Sequence, residues 1–225
     1  NVSMQYNPTP AITSQLSVFR NDIQSLIDVR QVATRADGSQ LFSYLNVNRA
    51  FTQGMEASFQ WQVHKNWSIN SGYQLLITGD KEEWEQIRQG KEYIRELNGS
   101  SRVMNKKDYV GLPNRSNHQG QLKIKYEDTK DRYVFMRLLY RSRWTVANSN
   151  GNGVHDIQDE YANGFVQLYI AGGLPINNTI SLQAGIDNLL NYQDIFYLPN
   201  LAGRTVFVTI RTRFESKQTK RINHP

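Results

Sequence analysis

The chain has no cysteine. That excludes disulfides and thiolate metal sites among its own residues. It has no apolar run long enough for a membrane-spanning helix, which takes about 20 residues. Mean hydropathy is −0.61, and hydrophobic residues make up 39% of the 225. Neither value excludes a membrane protein, because a strand with lipid on one side and water on the other averages to a soluble-looking hydropathy. Histidine is scarce, with His64, His118, His155 and His224 scattered along the chain. No metalloprotease or phosphate-loop motif appears, and no nucleophile–base–acid set stands out. The sequence therefore points away from an enzyme. Net charge is +6, yet no compact basic patch with interleaved aromatics points to nucleic acid. The sequence starts at Asn1 with no initiating methionine and no leader. It is expected to be a processed or truncated piece of a longer protein.

Aromatic residues are plentiful: twelve Tyr, nine Phe and four Trp. Many fall in segments that alternate with period two, the mark of a strand between unlike solvents. Strands are expected at Ile12–Ile23, Ser43–Val63, Trp67–Ile77, Asn117–Tyr126, Arg132–Trp144, Gly164–Ala171, Thr179–Asn188 and Gly203–Phe214, with Asn1–Asn7 the lower end of another. In Arg132–Trp144, for instance, Val134, Met136, Leu138 and Tyr140 oppose Arg137, Arg141 and Arg143. The connections near Thr9, Lys65, Thr129 and Asn177 read as short, and those near Asp37, Gly99, Asn150 and Phe196 as long. Strict alternation of two loop classes is the rule of outer-membrane barrels, which have short periplasmic turns and long extracellular loops. Within the insertion Thr78–Ser116, Asp80 and Glu83 have capping-box spacing, and Trp84, Ile87, Ile94 and Leu97 recur at near-helical intervals. A helix is expected there.

The closing stretch, Thr179–Phe214, reads strand, aromatic loop, strand. Its Gly185-Ile186-Asp187-Asn188-Leu189-Leu190, then Tyr197-Leu198-Pro199, then Gly203-Arg204 and a strand ending at Phe214 resemble the final hairpin of TonB-dependent outer-membrane receptors. Asn48-Arg49-Ala50-Phe51-Thr52-Gln53-Gly54-Met55-Glu56 also resembles a strand of that family. The resemblance implies an all-β fold: residues 1–214 as the C-terminal portion of a transmembrane antiparallel up-and-down barrel. About eight or nine strands are present of the roughly 22 that such receptors close around a plug. Residues 215–225 read as a polar, basic tail, which departs from the family's habit of stopping at the terminal aromatic.

The family resemblance further implies a bacterial outer-membrane location and energy-coupled uptake of a scarce iron complex, haem or cobalamin. Its partners would be a plug domain and the remaining strands of the same receptor, the TonB complex reached through an N-terminal segment, a small anionic ligand and outer-membrane lipid. A passive porin-like or structural barrel, or a soluble β-rich binding domain, is the competing reading. Candidate ligand-binding residues are Arg141 and Arg143 on the non-lipid face, His155 in an extracellular loop, and an aromatic rim of Tyr192, Phe196 and Tyr197. No resident cofactor is expected except calcium. Asn148–Asp159 fits a twelve-residue calcium loop, with oxygen side chains from Asn148, Asn150, Asn152, Asp156 and Asp159, and Gly153 at the sixth position. Few of these ligands are charged, so weak affinity is expected.

Overall fold

The computed structural model describes residues 1–37, 39–96, 98–109, 111–146, 155–156 and 161–213. Its framework is a nine-stranded antiparallel sheet whose strand order follows the chain. The first four strands are β1 (Val2–Thr9), β2 (Ile12–Thr34), β3 (Gln40–His64) and β4 (Trp67–Asp80). An extracellular excursion then carries α1 (Lys81–Arg88), β5 (Tyr93–Arg95) and β6 (Ser101–Val103). The sheet resumes with β7 (His118–Glu127) and β8 (Tyr133–Arg141). A second excursion carries β9 (Trp144–Thr145), β10 (His155–Asp156) and β11 (Tyr161–Ala162). β12 (Phe165–Pro175), β13 (Ile180–Asp187) and β14 (Thr205–Thr212) finish it. The sheet runs from β1 to β14 without closing on itself.

The expected alternations land on the faces assigned to them at the described positions; Phe214 and the tail 215–225 lie outside the described residues. The register puts Val206, Val208 and Ile210 opposite Ile186, Ala184 and Leu182. It then carries that face through Ile170, Met136 and Ile124 to Ile69 and Trp61. This apolar face is the lipid-facing side of an outer-membrane barrel. Toward the periplasmic end it carries Tyr6, Trp61, Trp67 and Tyr126, and the rings of Trp67 and Tyr126 lie 5.1 Å apart. Toward the other end it carries Tyr73, His118 and Tyr140, with the Tyr73 hydroxyl 2.6 Å from His118 Nδ1. Two aromatic belts at the two interfaces are what such a barrel requires, because an amphipathic ring is best placed between lipid and water. The luminal face carries glutamines, serines and most of the charges. Gly54 on it is obligatory in this packing: a Cβ there would lie 2.1 Å from the Leu75 carbonyl oxygen.

Two expectations need correction. The connection at Asp37 is not a long loop. β2 and β3 stay paired to Thr34 and Gln40, and a tight turn joins them, with Arg35 N–H donating to Ser39 O at 2.8 Å. β3 pairs with β4 only from Ala50 downward. On that side the hairpin projects beyond β4. There Leu41, Phe42, Ser43 and Tyr44 are all exposed, so period-two alternation is lost and the sequence stops looking like a strand. The helix is also shorter than the apolar spacing implied. It ends at Arg88, Gly90 follows at φ 68°, and Ile94 lies in β5, paired with Arg102. Leu97 lies outside the described residues. Ile94 is buried against Ile87 and Met104, so its spacing served packing between a helix and a strand, not one helical stripe.

Buried apolar side chains gather at the extracellular end, where the loops fold on one another. Ile94 and Met104 are each 2% exposed. Removing such a side chain from water is worth about 1.5–3 kcal/mol.

Candidate functional site

Two excursions from the sheet merge into one cap over the extracellular rim. Asp80 caps α1, its Oδ1 accepting from Glu82 N–H at 2.8 Å. The Tyr109 hydroxyl then bridges, accepting from Asp80 N–H at 3.0 Å and donating to Glu83 Oε2 at 3.2 Å. Burial and the neighbouring Glu83 charge push the Tyr109 hydroxyl's pKa upward, which keeps it protonated as a donor. Trp84 packs edge-on against Phe51 of the wall and against Tyr109. Gly111, at φ 104°, brings the chain down onto Thr78, whose Oγ1 accepts from Leu112 N–H at 2.9 Å.

The second excursion is stitched to the first. β10 pairs in parallel with β5, and β11 pairs with β9. The Tyr161 hydroxyl donates to the Asp108 carbonyl at 3.2 Å. Asp108 itself is held by Arg102 through two contacts of 2.6 and 2.9 Å and by Asn105 N–H at 2.8 Å. The Arg102 bonds, then the Asn105 bond, hold its carboxyl low, at about 2, against the opposing effect of burial. Arg102 also pairs with Glu96 at 2.7 Å.

Below the cap, cations and rings form an upper tier at the mouth. Arg141 donates from Nε to Ser116 Oγ at 2.5 Å and from Nη2 to Asn114 O at 3.2 Å. Its guanidinium lies 3.8 Å from the Trp144 ring centre. Trp144 meets Phe165 edge-on, and Phe165 stacks on Tyr192 at 4.9 Å and 17°. Tyr192 begins the last loop, which Asn188 anchors. The Asn188 side chain is 1% exposed and donates to Tyr192 O at 2.7 Å and Ala202 O at 3.0 Å, while its Oδ1 accepts from Tyr192 N–H at 3.1 Å. Arg204 closes the loop through Leu189 O at 2.9 Å and Asn191 Oδ1 at 2.8 Å.

The structure thus joins Arg141 and Tyr192 through Trp144 and Phe165. Arg143 sits over the Tyr161 ring at 5.1 Å, inside the cap. Phe196 stands apart at 84% exposure, and Tyr197 is half-buried, its N–H donating to Asp194 Oδ1. His155 and Asp156 form β10, and their side chains lie outside the description. Asn148, Asn150, Asn152 and Asp159 of the calcium loop also lie outside the described residues. Sequence reasoning missed Trp144, Phe165 and Asn188. A signal existed for Phe165: it is an aromatic at a luminal position of its strand, as are Phe135, Tyr169 and Phe207.

A membrane-crossing antiparallel meander with short turns at one end and a folded cap of loops at the other defines an outer-membrane β-barrel. The sequence matches the family described as TonB dependent receptor-like, beta-barrel, over residues 1–189. The chain belongs to that family, whose members are β-barrels of the Gram-negative outer membrane. Similar solved structures include the copper transporter OprC, at 17% identity and a TM-score of 0.64, covering 94% of this chain and 30% of that one. The ferric enterobactin receptor PfeA of Pseudomonas aeruginosa, solved as a mutant, gives 14% identity and a TM-score of 0.62, with 94% and 30% covered. The ferric-catecholate import receptor Fiu of E. coli K12 gives 16% identity and 0.59, with 93% and 26% covered. These likenesses support the fold, and the chain spans about a third or less of each of those proteins. No curated protein matches it in sequence.

Proposed function

We propose that the whole protein is a TonB-dependent transporter that takes up a scarce anionic metal complex: a ferric siderophore, haem or cobalamin. The observation that carries the reading is the mouth tier, where Arg141, Trp144, Phe165 and Tyr192 form one connected array on the luminal side of the wall. Rings offer large contact area at little entropy cost, and a basic wall attracts anions. The structurally similar proteins named above are a copper transporter, a ferric enterobactin receptor and a ferric-catecholate import receptor. In this reading a plug domain and the remaining strands complete the barrel, and the TonB complex drives release into the periplasm. Tyr192, Phe196, Tyr197, Arg141, Arg143 and His155 contribute to capture. Calcium in the Asn148–Asp159 loop would stiffen the cap beside them.

The test uses the full receptor with Tyr192, Phe196 and Tyr197 all changed to Ala, with ligand uptake followed in cells with and without TonB. Weakened binding by an intact, heat-resistant barrel, and uptake that requires TonB, are expected. TonB-independent uptake would instead establish a passive pore. Loss of the barrel without a separate binding defect would make these rings structural.

A further inference from the structure

Below the mouth, five luminal side chains lie in one row across five strands. The register pairs Gln60 with Asn70, Asn70 with Lys123, Lys123 with Arg137, and Arg137 with Tyr169. Lys123 and Arg137 are therefore directly opposite one another. Residues so paired have Cβ atoms about 5 Å apart, and like charges there are destabilising. The nearby carboxylates make no ion pair with them: Glu56 accepts from Gln74 at 2.8 Å, Glu127 holds Lys125 at 2.6 Å, and Asp187, which follows Tyr169 in the row, accepts from Asn188 N–H at 2.9 Å. Among the described residues, neither Lys123 nor Arg137 has an ion-pair or hydrogen-bond partner. Each lies instead over a ring. Lys123 Nζ is 4.7 Å from the centre of Phe135, and the Arg137 guanidinium is 5.0 Å from that of Tyr169. Those two rings stack at 5.3 Å and 25°.

The rings hold the two cations side by side but supply no counter-charge and no acceptor for their N–H groups. The amides of Gln60 and Asn70 extend the row of donors. Together these residues line a recess of about 420 Å³, within the size range of small-ligand sites. Tyr169 follows Phe165 by four residues on β12. The recess therefore lies roughly 13 Å further along the strand than the mouth tier.

We propose that this recess is an oxyanion site on the luminal wall, and that it takes the carboxylate of a small aromatic acid. The guanidinium and ammonium bind the carboxylate oxygens, the amides complete their hydrogen bonds, and the rings favour a planar acid. Its role as a second station below the mouth rests on the uptake reading, but its binding chemistry does not.

The experiment uses the full-length receptor in detergent, with benzoate as the probe and chloride as the control at constant ionic strength. Calorimetry and thermal unfolding are followed together, since a ligand that binds only the folded state raises the midpoint as it saturates. Saturable benzoate binding at millimolar concentrations is expected. In the Lys123→Gln, Arg137→Gln double variant it should be about tenfold weaker or worse, because two charge-assisted contacts are lost. If the double variant does not fold, Lys123→Gln alone and the wild-type titration still decide. Absence of benzoate binding by the wild-type receptor overturns the site, and means that a carboxylate elsewhere in the full protein already neutralises the pair. Unchanged binding in a folded variant overturns it too. Both results leave the uptake reading standing, and benzoate binding supports the site whatever the uptake assay returns.

Discussion

Replacing Asn188 by Ala should open the last extracellular loop while leaving the sheet intact. Asn188 is 1% exposed and sits at φ 48°. Its side chain makes three hydrogen bonds, to Tyr192 O, Ala202 O and Tyr192 N–H. Each is worth about 1 kcal/mol, and all three backbone groups lose their side-chain partner in the variant. The left-handed backbone costs Ala about 1 kcal/mol more than Asn. The loss for Ala is therefore about 4 kcal/mol against local opening. For Gly, which takes positive φ freely, it is about 3 kcal/mol. The assay is hydrogen exchange at the Arg204 amide, whose acceptor is Asn191 Oδ1 and is untouched by the substitution. Exchange should speed up by two to three orders of magnitude, at about 1.4 kcal/mol per decade, with Ala about fivefold faster than Gly. Exchange within about threefold of the wild type, or a Gly variant that opens more than Ala, would refute the reasoning.

Two further outcomes are expected. The Asp108 carboxyl, held at about 2 by Arg102 and Asn105, has a folded value below its unfolded one of about 4. Its contribution to the cap is complete above about pH 4 and is lost as pH falls through about 2. Protection of the Asn105 amide, corrected for intrinsic exchange, should follow that window, and Asp108→Asn should flatten it; a transition near neutral pH would contradict the assignment. For the calcium loop, calorimetry on the full receptor should show millimolar binding that Asp156→Ala and Asp159→Ala abolish. An identical response in all the proteins, or none, would remove the site.

How much of this could be read from the sequence follows from which solvents each segment separates. Between lipid and lumen, the two faces of a strand must differ, so Val134, Met136 and Leu138 against Arg137 announced both strand and register. Where the β2–β3 hairpin rises past β4, Leu41, Phe42, Ser43 and Tyr44 are all exposed and the signal vanishes. The strands of the cap are two or three residues long, too short for any period, and β10 finds its partner in β5 across two separate excursions. Ile94 shows the same limit from the other side: one apolar residue at a helical interval cannot say whether it packs within a helix or beside one. At the site, Arg141 and Tyr192 were found as types suited to capture, but their link through Trp144 and Phe165 depends on pairing across strands. Asn188 reads as an ordinary turn residue until its three bonds are seen.

One face of this sheet meets lipid and the other a lumen. The chain has no native cysteine, so single Cys substitutions at Val206, Phe207, Val208, Thr209 and Ile210 can carry spin labels in the full receptor reconstituted in bilayers, provided the rest of the receptor is made cysteine-free. Labels at positions 206, 208 and 210 should be accessible to oxygen dissolved in lipid and shielded from a water-soluble relaxation agent, with 207 and 209 the reverse. Accessibility without alternation, or alternation of the opposite phase, would contradict the account.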